Sequence, residues 1–430
     1  MRIAEAQRLH SRGQKEYFVP AKPKTAFSVE EIQDDSSQNT ELLDLQNEGE
    51  DDLDPTGLRQ LNAAVVSGSD WTTETILLQL DRGNIALDPS FQRRDAWRGQ
   101  RKSRFIESLI LGLPIPQLVL AESKANRGTF LVIDGKQRLL ALRQFASAAT
   151  DKEYRQLKLE GLQVRKDLNG MALEELRSMP QLSSDVTAFE NQTIRTVVIK
   201  NWPNESVLYL IFLRLNAGSV QLSPQELRQA LHPGEFVRFA DKVSSKMTSL
   251  QRILGGSEPD FRMRDVELFI RHFAFREFLT EYHGNLRNFL DIVCKKLNER
   301  WIDEQSSIES RTSELDNAIN ATFEVFGDNA FRKWNGSKFE NRFNRAVFDV
   351  MTFYFADEHI RSAALRYPKL IKKDFIDLCA DHRFLKSIEV STKSITATVD
   401  RLQMWGTVLA KRLKKKIPTP RIVDGTIRIP

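Results

Sequence analysis

The spacing of apolar residues changes character once along the chain. Between residues 85 and 145, short apolar runs typical of strands alternate with segments whose apolar residues recur at helical spacing, as in an α/β unit. After Gly234 the helical spacing continues almost to the end of the chain. The pattern therefore predicts an α+β protein in which a small α/β domain precedes an all-helical C-terminal domain.

Helix-capping residues and runs of strand-forming residues predict individual helices and strands within these two domains. Thr72 and Thr73 are capping residues before a helix with Ile76, Leu77 and Leu80 on its apolar face. Ser223, Pro224 and Glu226 have the spacing of a capping box that begins another helix. The remaining predictions are an amphipathic helix through Phe105, Ile106, Leu109 and Ile110, strands over Gln117–Ala121 and Thr193–Trp202, and a helix over Asn204–Leu215.

Composition divides the chain into four predicted parts. Residues 25–58 contain eleven acids and neither Lys nor Arg, so residues 1–58 are interpreted as an acidic, disordered tail. The α/β domain is assigned to residues 59–235, the helical domain to 236–415 and a C-terminal tail to 416–430. The acidic segment is either a solubilising linker or a competitor that folds back over basic surface.

Charge and cysteine content narrow the class of protein. The net charge of +5 becomes +16 when the eleven acids of the tail are set aside, which suits a polyanionic partner such as DNA. No apolar run is long enough to span a bilayer, and the first residues lack the apolar centre of a signal peptide. Cys294 and Cys379 are expected to be reduced core residues. We therefore expect a cytoplasmic protein without a membrane partner.

The candidate chemistry begins where an apolar strand-like run ends at Asp134-Gly135. A helical pattern starts at once, which places Lys136, Gln137 and Arg138 at a helix N-terminus. Backbone amides and the helix dipole attract anions there, and two cations at this end are suited to phosphate. The local alternative is that Asp134 is the N-cap, Gly135 a turn residue and both cations solvated.

Four ordered motifs carry a resemblance to a known family. They are F-Q-R-x-x-x-W at Phe91–Trp97, I-E-S-L-I-x-G-x-P-I-P at Ile106–Pro116, V-I-D-G-K-Q-R-L-x-A-L at Val132–Leu142 and I-F-x-R-L-N-A-G-x-x-x-L-S-P-Q-E-L-R at Ile211–Arg228. Over residues 71–235 the chain resembles the N-terminal domain of GmrSD-type, modification-dependent restriction endonucleases. That domain carries a D-G-Q-Q-R motif and is grouped with the ParB/sulfiredoxin-like fold. Lys136 replaces the usual first Gln of the motif.

The resemblance implies a nucleoside triphosphate pocket whose occupation, with or without hydrolysis, licenses a response to DNA. Arg138 and Arg93 can clamp phosphate oxygens with Lys136 as a point charge, while Gln92 and Gln137 suit a ribose or base edge. Asp134 is expected to hold Mg²⁺ or to position a water, unless it only caps the turn. The candidate catalytic residues are Asp134 and Arg138, with Asp134 as the metal ligand. The nucleotide-binding candidates are Gln92, Arg93, Gly135, Lys136, Gln137 and Arg138, together with Asn216 and Arg228, which the family brings to the same pocket.

A basic segment next to the first motif is the candidate DNA surface. It consists of Arg94, Trp97, Arg98, Arg101 and Lys102. An aromatic ring among cations can stack on a base while the cations contact phosphates. The alternatives are a solvated charged face and a Trp97 that only packs or covers the pocket.

No nuclease motif is evident, and the six histidines form no H-N-H arrangement with a nearby Asn. We therefore expect a DNA-sensing subunit of a prokaryotic restriction or anti-phage defence system, with a nuclease or effector supplied by a separate subunit. The main alternative is a non-enzymatic DNA- or partner-binding module of the same fold. A self-contained nuclease is the weaker alternative. The sequence leaves open whether a nucleotide is hydrolysed and whether the chain forms homo-oligomers.

Overall fold

Four strands form one mixed sheet near the start of the described chain. The computed structural model describes residues 64–87, 95–124, 126–215, 223–389 and 394–429. The strands are β1 (Val65–Thr72), β2 (Leu118–Glu122), β3 (Phe130–Asp134) and β4 (Thr193–Lys200). Their order is β1-β4-β2-β3. Strand β2 runs parallel to β4 and antiparallel to β3, whereas β1 is antiparallel to β4.

The central strand β2 is buried on both faces because its side chains alternate between two cores. Leu118 and Leu120 pack into the larger core, which extends through the helices, and Val119 and Ala121 into a smaller one. Strand β1 is different, since it lies at an edge and most of its side chains are exposed.

In the described part of the chain, five α-helices lie between β1 and β4 in the sequence. They are α1 (Thr73–Asp81), α2 (Gly99–Ile110), α3 (Lys136–Ala146), α4 (Leu173–Ser178) and α5 (Ser183–Asn191). The oxygen of the Thr72 side chain accepts the N–H of Thr75, so the predicted cap of α1 is confirmed. Helix α2 buries Phe105, Ile106 and Leu109 as its spacing predicts.

The chain beyond β4 is predominantly helical. The helices are α6 (Glu205–Leu215), α7 (Pro224–Leu231), α8 (Glu235–Ser244), α9 (Thr248–Leu254), α10 (Arg264–Phe278), α11 (Leu286–Phe326), α12 (Arg345–Phe355), α13 (Glu358–Ala364), α14 (Pro368–Leu378), α15 (His382–Glu389) and α16 (Ile395–Leu413). Helix α11 alone has 41 residues. The α+β class and the helical C-terminal region are confirmed, while the ParB/sulfiredoxin-like fold and the four domain boundaries stay predictions.

Two short strands follow α16. Strands β5 (Arg421–Val423) and β6 (Thr426–Arg428) form an antiparallel hairpin within the segment that the sequence assigned to a tail, and Ile427 on β6 is buried. The acidic segment at residues 25–58 lies outside the described residues. No helix in the described ranges combines the length and the apolar character that a bilayer crossing requires. Cys294 and Cys379 are buried and are not joined in a disulfide, as expected.

A buried network of charges ties three helices of the C-terminal region together. Arg271 on α10 forms two hydrogen bonds with Asp349 on α12, Nε to Oδ1 at 3.0 Å and Nη2 to Oδ2 at 2.6 Å. Arg401 on α16 donates from Nη2 to Asp349 Oδ2 at 3.5 Å. All three side chains are at most 5% exposed, so Asp349 is a buried carboxylate shared by two guanidinium groups. Arg271 Nη1 also lies 3.7 Å from Glu267 Oε1.

Candidate functional site

A left-handed glycine turns the chain from β3 into α3. Gly135 has φ +100° and is the N-cap residue of α3, and its carbonyl accepts the N–H of Leu139 at 2.9 Å. The N–H of Gly135 donates to Asp134 Oδ1 at 2.7 Å. Gly135 has no side chain with which to cap the helix, and the first turn contains no acid. The predicted turn and helix start are therefore present, but the N-cap is Gly135, and the Asp134 carboxylate binds the amide next to it.

The space around Gly135 requires a residue without a side chain. A Cβ atom here would lie 2.3 Å from Leu118 Cδ2 and 3.2 Å from Arg138 Nη2. The turn is thus fixed by its positive φ and by the packing of β2 beneath it, which holds the first amides of α3 in one orientation.

Gly135→Ala is expected to destabilise the protein by at least about 2 kcal/mol more than Gly170→Ala. Gly170 is a matched control because its φ is +85° and no heavy atom lies within 4 Å of an added Cβ. Both variants place an alanine at a positive φ, which is unfavourable, whereas only Gly135→Ala adds a clash with Leu118. Urea unfolding of both variants measures the difference, and equal losses would show that the close packing contributes nothing.

Arg138 spans the turn and the segment before β2. Its Nη2 atom donates to Asp134 Oδ2 at 3.1 Å and to the carbonyl oxygen of Gln117 at 2.9 Å. The residue is 8% exposed, and its Nε atom is buried without a hydrogen-bond partner among the described residues. Arg138 is therefore held rigidly beside the start of α3 and keeps one unused donor.

Lys136 is paired with a carboxylate from a distant part of the sequence. Its Nζ donates to Glu226 Oε1 at 2.5 Å, and the two residues are only 5% and 6% exposed. The other oxygen of Glu226 accepts the N–H of Ser223 at 2.7 Å, and Ser223 Oγ accepts the N–H of Glu226 at 3.1 Å. The predicted capping box is confirmed, and it also aims a carboxylate at the turn. Lys136 and Arg138 thus each pair with a carboxylate, Lys136 with Glu226 and Arg138 with Asp134. These two pairs fix the start of α3.

The neighbouring residue Gln137 adds a second unused polar atom. Its Oε1 is buried and has no hydrogen-bond partner in the described part of the chain. An acceptor of this kind normally finds a donor, because a buried polar group without one costs about 1–3 kcal/mol. Arg138 Nε and Gln137 Oε1 are thus two buried polar atoms near this turn without a hydrogen-bond partner among the described residues.

Arg228 lies on the same helix as Glu226 but faces the helical region. Its Nε donates to Asp291 Oδ1 on α11 at 2.7 Å, and its Nη1 donates to Gln225 Oε1 at 2.7 Å. Its exposed fraction is 1%. Helix α7 therefore contacts the turn through Glu226 and α11 through Arg228. Three other nucleotide-binding candidates, Gln92, Arg93 and Asn216, lie outside the described residues.

The predicted DNA surface is divided by the fold. Arg98 and Arg101 are exposed, and the guanidinium of Arg101 lies 4.9 Å from the Trp97 ring centroid. Trp97 also packs edge-on against Phe105, with ring centroids 5.8 Å apart.

Lys102 points inward instead. Its Nζ donates to Gln144 Oε1 at 2.6 Å and pairs with Asp95, and burial lowers the pKa of Lys102 to about 8. Arg94, the remaining member of the predicted surface, lies outside the described residues.

The residue that sequence analysis overlooked at the turn is Glu226. Its capping-box spacing offered a sufficient local explanation, so its neighbours in the sequence did not indicate the additional bond to Lys136, 90 positions away. The Gln117 carbonyl was overlooked too, because a backbone acceptor leaves no trace in residue type. A sequence signal for Glu226 was present only in the fourth motif, which places it near the D-G-K-Q-R turn by resemblance.

Comparison with known proteins supports the family resemblance over one segment. Residues 74–233 match the model for the N-terminal domain of the GmrSD restriction endonuclease. The match extends from α1 to just beyond α7 and includes both the turn and the Glu226 helix. It indicates a restriction- or defence-related role. No curated protein and no solved structure gives a significant match.

Proposed function

We propose, on the premise that residues 74–233 form a GmrSD-type N-terminal domain, that the chain binds a nucleoside triphosphate at the start of α3 and couples this binding to DNA recognition. The observation that carries the proposal is the Gly135 turn, which begins a helix with no side chain at its N-cap position and no acid in its first turn, beside Arg138. Any nuclease activity would come from a separate subunit, since the sequence offers no H-N-H arrangement.

The chemistry of the turn fits phosphate oxygens. The first amides of α3, among them those of Gln137 and Arg138, point out of the helix end with the positive end of its dipole. Arg138 can add its unused Nε donor, while Gln137 Oε1 can accept from a ribose hydroxyl or a base amino group. A triphosphate would satisfy both buried atoms.

Asp134 is the residue that would hold Mg²⁺. In the described conformation its Oδ1 accepts the Gly135 amide and its Oδ2 accepts Arg138. Magnesium needs only one or two protein carboxylates when phosphates supply the other oxygens, so one carboxylate here fits the requirement. A bound ion would bring charge neutralisation between the phosphates, and Asp134 would anchor it beside the turn.

A non-enzymatic module is the second candidate function. The observation in its favour is that Lys136 and Arg138 are already neutralised by Glu226 and Asp134. Such a pocket would bind nucleotide weakly and not turn it over. DNA contact would then depend on exposed cations such as Arg98 and Arg101 alone.

A nucleotide assay separates the two functions. We expect the full-length chain to bind a fluorescent triphosphate and to release phosphate faster when DNA is added. Arg138→Ala should lower nucleotide affinity or phosphate release about 10- to 100-fold, because it removes hydrogen bonds to a charged ligand. It should leave DNA affinity measured without nucleotide nearly unchanged.

Arg143→Ala is the matched control, because Arg143 lies on the same helix and also pairs with an aspartate, Asp151, at 3.0 Å. Its effect on nucleotide binding should be small. Binding without phosphate release would favour the non-enzymatic module. A wild-type chain that binds no triphosphate, or equal losses in the two arginine variants, would refute the proposed site. Nicking of a plasmid by the pure chain with Mg²⁺ would refute the assignment of the nuclease to a separate subunit.

A further inference from the structure

Three metal-ligating side chains converge where α6, α7 and α11 meet. Glu205 is the first residue of α6, His232 directly follows α7, and Asp291 lies on α11. One ligand atom from each lies within 4.8 Å of the other two. His232 and Asp291 are 5% and 7% exposed, while the Glu205 side chain is 32% exposed. The cluster is thus buried on one side and open to solvent on the other.

The distances between the ligand atoms are longer than those of good hydrogen bonds. His232 Nε2 lies 3.4 Å from Glu205 Oε2 and 3.8 Å from Asp291 Oδ1. These separations exceed the roughly 2.7–3.2 Å of good N–H···O hydrogen bonds, and Nε2 has no hydrogen-bond partner among the described residues. Ligand atoms about 2.0–2.2 Å from a tetrahedral ion are separated by roughly 3.3–3.6 Å. The His232–Glu205 separation of 3.4 Å falls within that range, and the His232–Asp291 separation of 3.8 Å slightly exceeds it, so a small shift would bring these atoms to ligand spacing.

We propose that Glu205, His232 and Asp291 bind one divalent transition-metal ion of the zinc class. An imidazole nitrogen with two carboxylate oxygens is a donor set that zinc accepts, whereas magnesium and calcium prefer oxygen alone. Three protein ligands leave a fourth position, and the exposed side of Glu205 admits a water to it. The proposal is independent of the nucleotide site and of Asp134.

Two cations, Arg228 and Lys295, bind the carboxylates of the cluster. Arg228 Nε donates to Asp291 Oδ1 at 2.7 Å, and Lys295 Nζ donates to Glu205 Oε1 at 3.4 Å. Outer hydrogen bonds of this kind orient ligating carboxylates. The same positive charges repel an incoming cation, so we expect micromolar rather than nanomolar affinity.

A bound ion would join three helices at this point. It would fix the end of α7 against α6 and α11, and α7 is the helix that presents Glu226 to Lys136. The ion would therefore stiffen the link between the family-matched segment and the helical region.

Zinc titration of the full-length chain, stripped with a chelator and dialysed, tests the proposal. We expect one Zn²⁺ per chain by calorimetry, a matching metal content by mass spectrometry, and a rise of a few degrees in Tm on saturation. Addition of Co²⁺ in place of zinc should produce the visible absorption bands of a low-symmetry site.

Variants assign the ligands. His232→Ala should weaken zinc binding about 100-fold or more, and Glu205→Gln at least about 10-fold. Because Glu205 is partly exposed, its variant keeps the test valid if His232→Ala fails to fold. His359→Ala is the control, since His359 is exposed and lies outside the cluster, and its zinc binding should equal that of the wild type. No stoichiometric binding by the folded wild type, or unchanged binding in the ligand variants, would overturn the site. Neither outcome depends on nucleotide or DNA.

Discussion

Asp349→Ala is expected to lower the free energy of unfolding by about 3–5 kcal/mol, because it leaves two buried guanidinium groups without their shared carboxylate. Asp349 is 3% exposed and contacts both Arg271 and Arg401. Removal of a buried charge partner costs far more than the net value of the pair, since the remaining charges cannot reach water. Urea or guanidinium unfolding, followed by the same spectroscopic probe for each variant, measures the loss.

Asp374→Ala is the matched control for this prediction. Asp374 also forms a two-pronged pair with an arginine, Arg412, at 2.6 Å for each bond, but the Arg412 side chain is 35% exposed. A pair with this access to water should contribute no more than about 1 kcal/mol. Similar losses for the two variants would mean that burial does not govern the strength of these pairs.

Lys136→Gln and Glu226→Gln are each expected to cost about 2–4 kcal/mol when made singly, and much less than the sum when combined. Each single change removes the opposite charge from one buried member of the Lys136–Glu226 ion pair. In the double variant, the glutamine introduced at position 226 can still accept the Ser223 amide and can donate to the glutamine introduced at position 136. The capping box and a neutral contact therefore both survive. A double-mutant cycle in urea should give a coupling of at least about 2 kcal/mol.

The same cycle bears on function. The double variant turns D-G-K-Q-R into the D-G-Q-Q-R motif of the family that the sequence resembles, while removing the Lys136–Glu226 ion pair. If the pair serves to position the turn, nucleotide affinity should survive in the double variant and fall in both single ones. Additive stability losses, or nucleotide binding abolished in all three variants, would contradict the positioning role.

Apolar spacing and helix-capping residues predicted much of the secondary structure. The apolar spacing of Phe105, Ile106 and Leu109 predicted helix α2, and Thr72 predicted the start of α1. Strand β1 was missed, because exposure along most of its length leaves no alternation to detect, as Val66 at 62% exposed illustrates. Its place is fixed by backbone pairing with β4, which residue types do not encode.

The site was recovered less completely, for a related reason. The Asp134-Gly135 turn and the helix that follows depend on neighbours in sequence, so the local pattern predicted them. The partners of Lys136 and Lys102 depend on which distant polar side chain the fold brings near. Asp95 and Gln144 draw Lys102 inward although it belongs to a run of cations that looks solvated. Charge patterning alone does not separate such a lysine from the exposed Arg98 nearby.

Helix α7 connects the turn at the start of α3 with helix α11. Through Glu226 it contacts the turn where phosphate is proposed to bind, and through Arg228 it contacts α11. A ligand that competes for Lys136 would alter the first contact and thereby bias the second, because both residues lie within one short rigid helix. This connection offers a physical route from nucleotide binding to the helical region.

The most direct test of the account is a structure of the full-length chain determined with a non-hydrolysable triphosphate and Mg²⁺. We expect phosphate density at the start of α3, within about 3 Å of the Gln137 and Arg138 amides and of the Arg138 guanidinium. Saturating nucleotide bound elsewhere, with the Asp134–Arg138 and Lys136–Glu226 pairs unchanged, would contradict it.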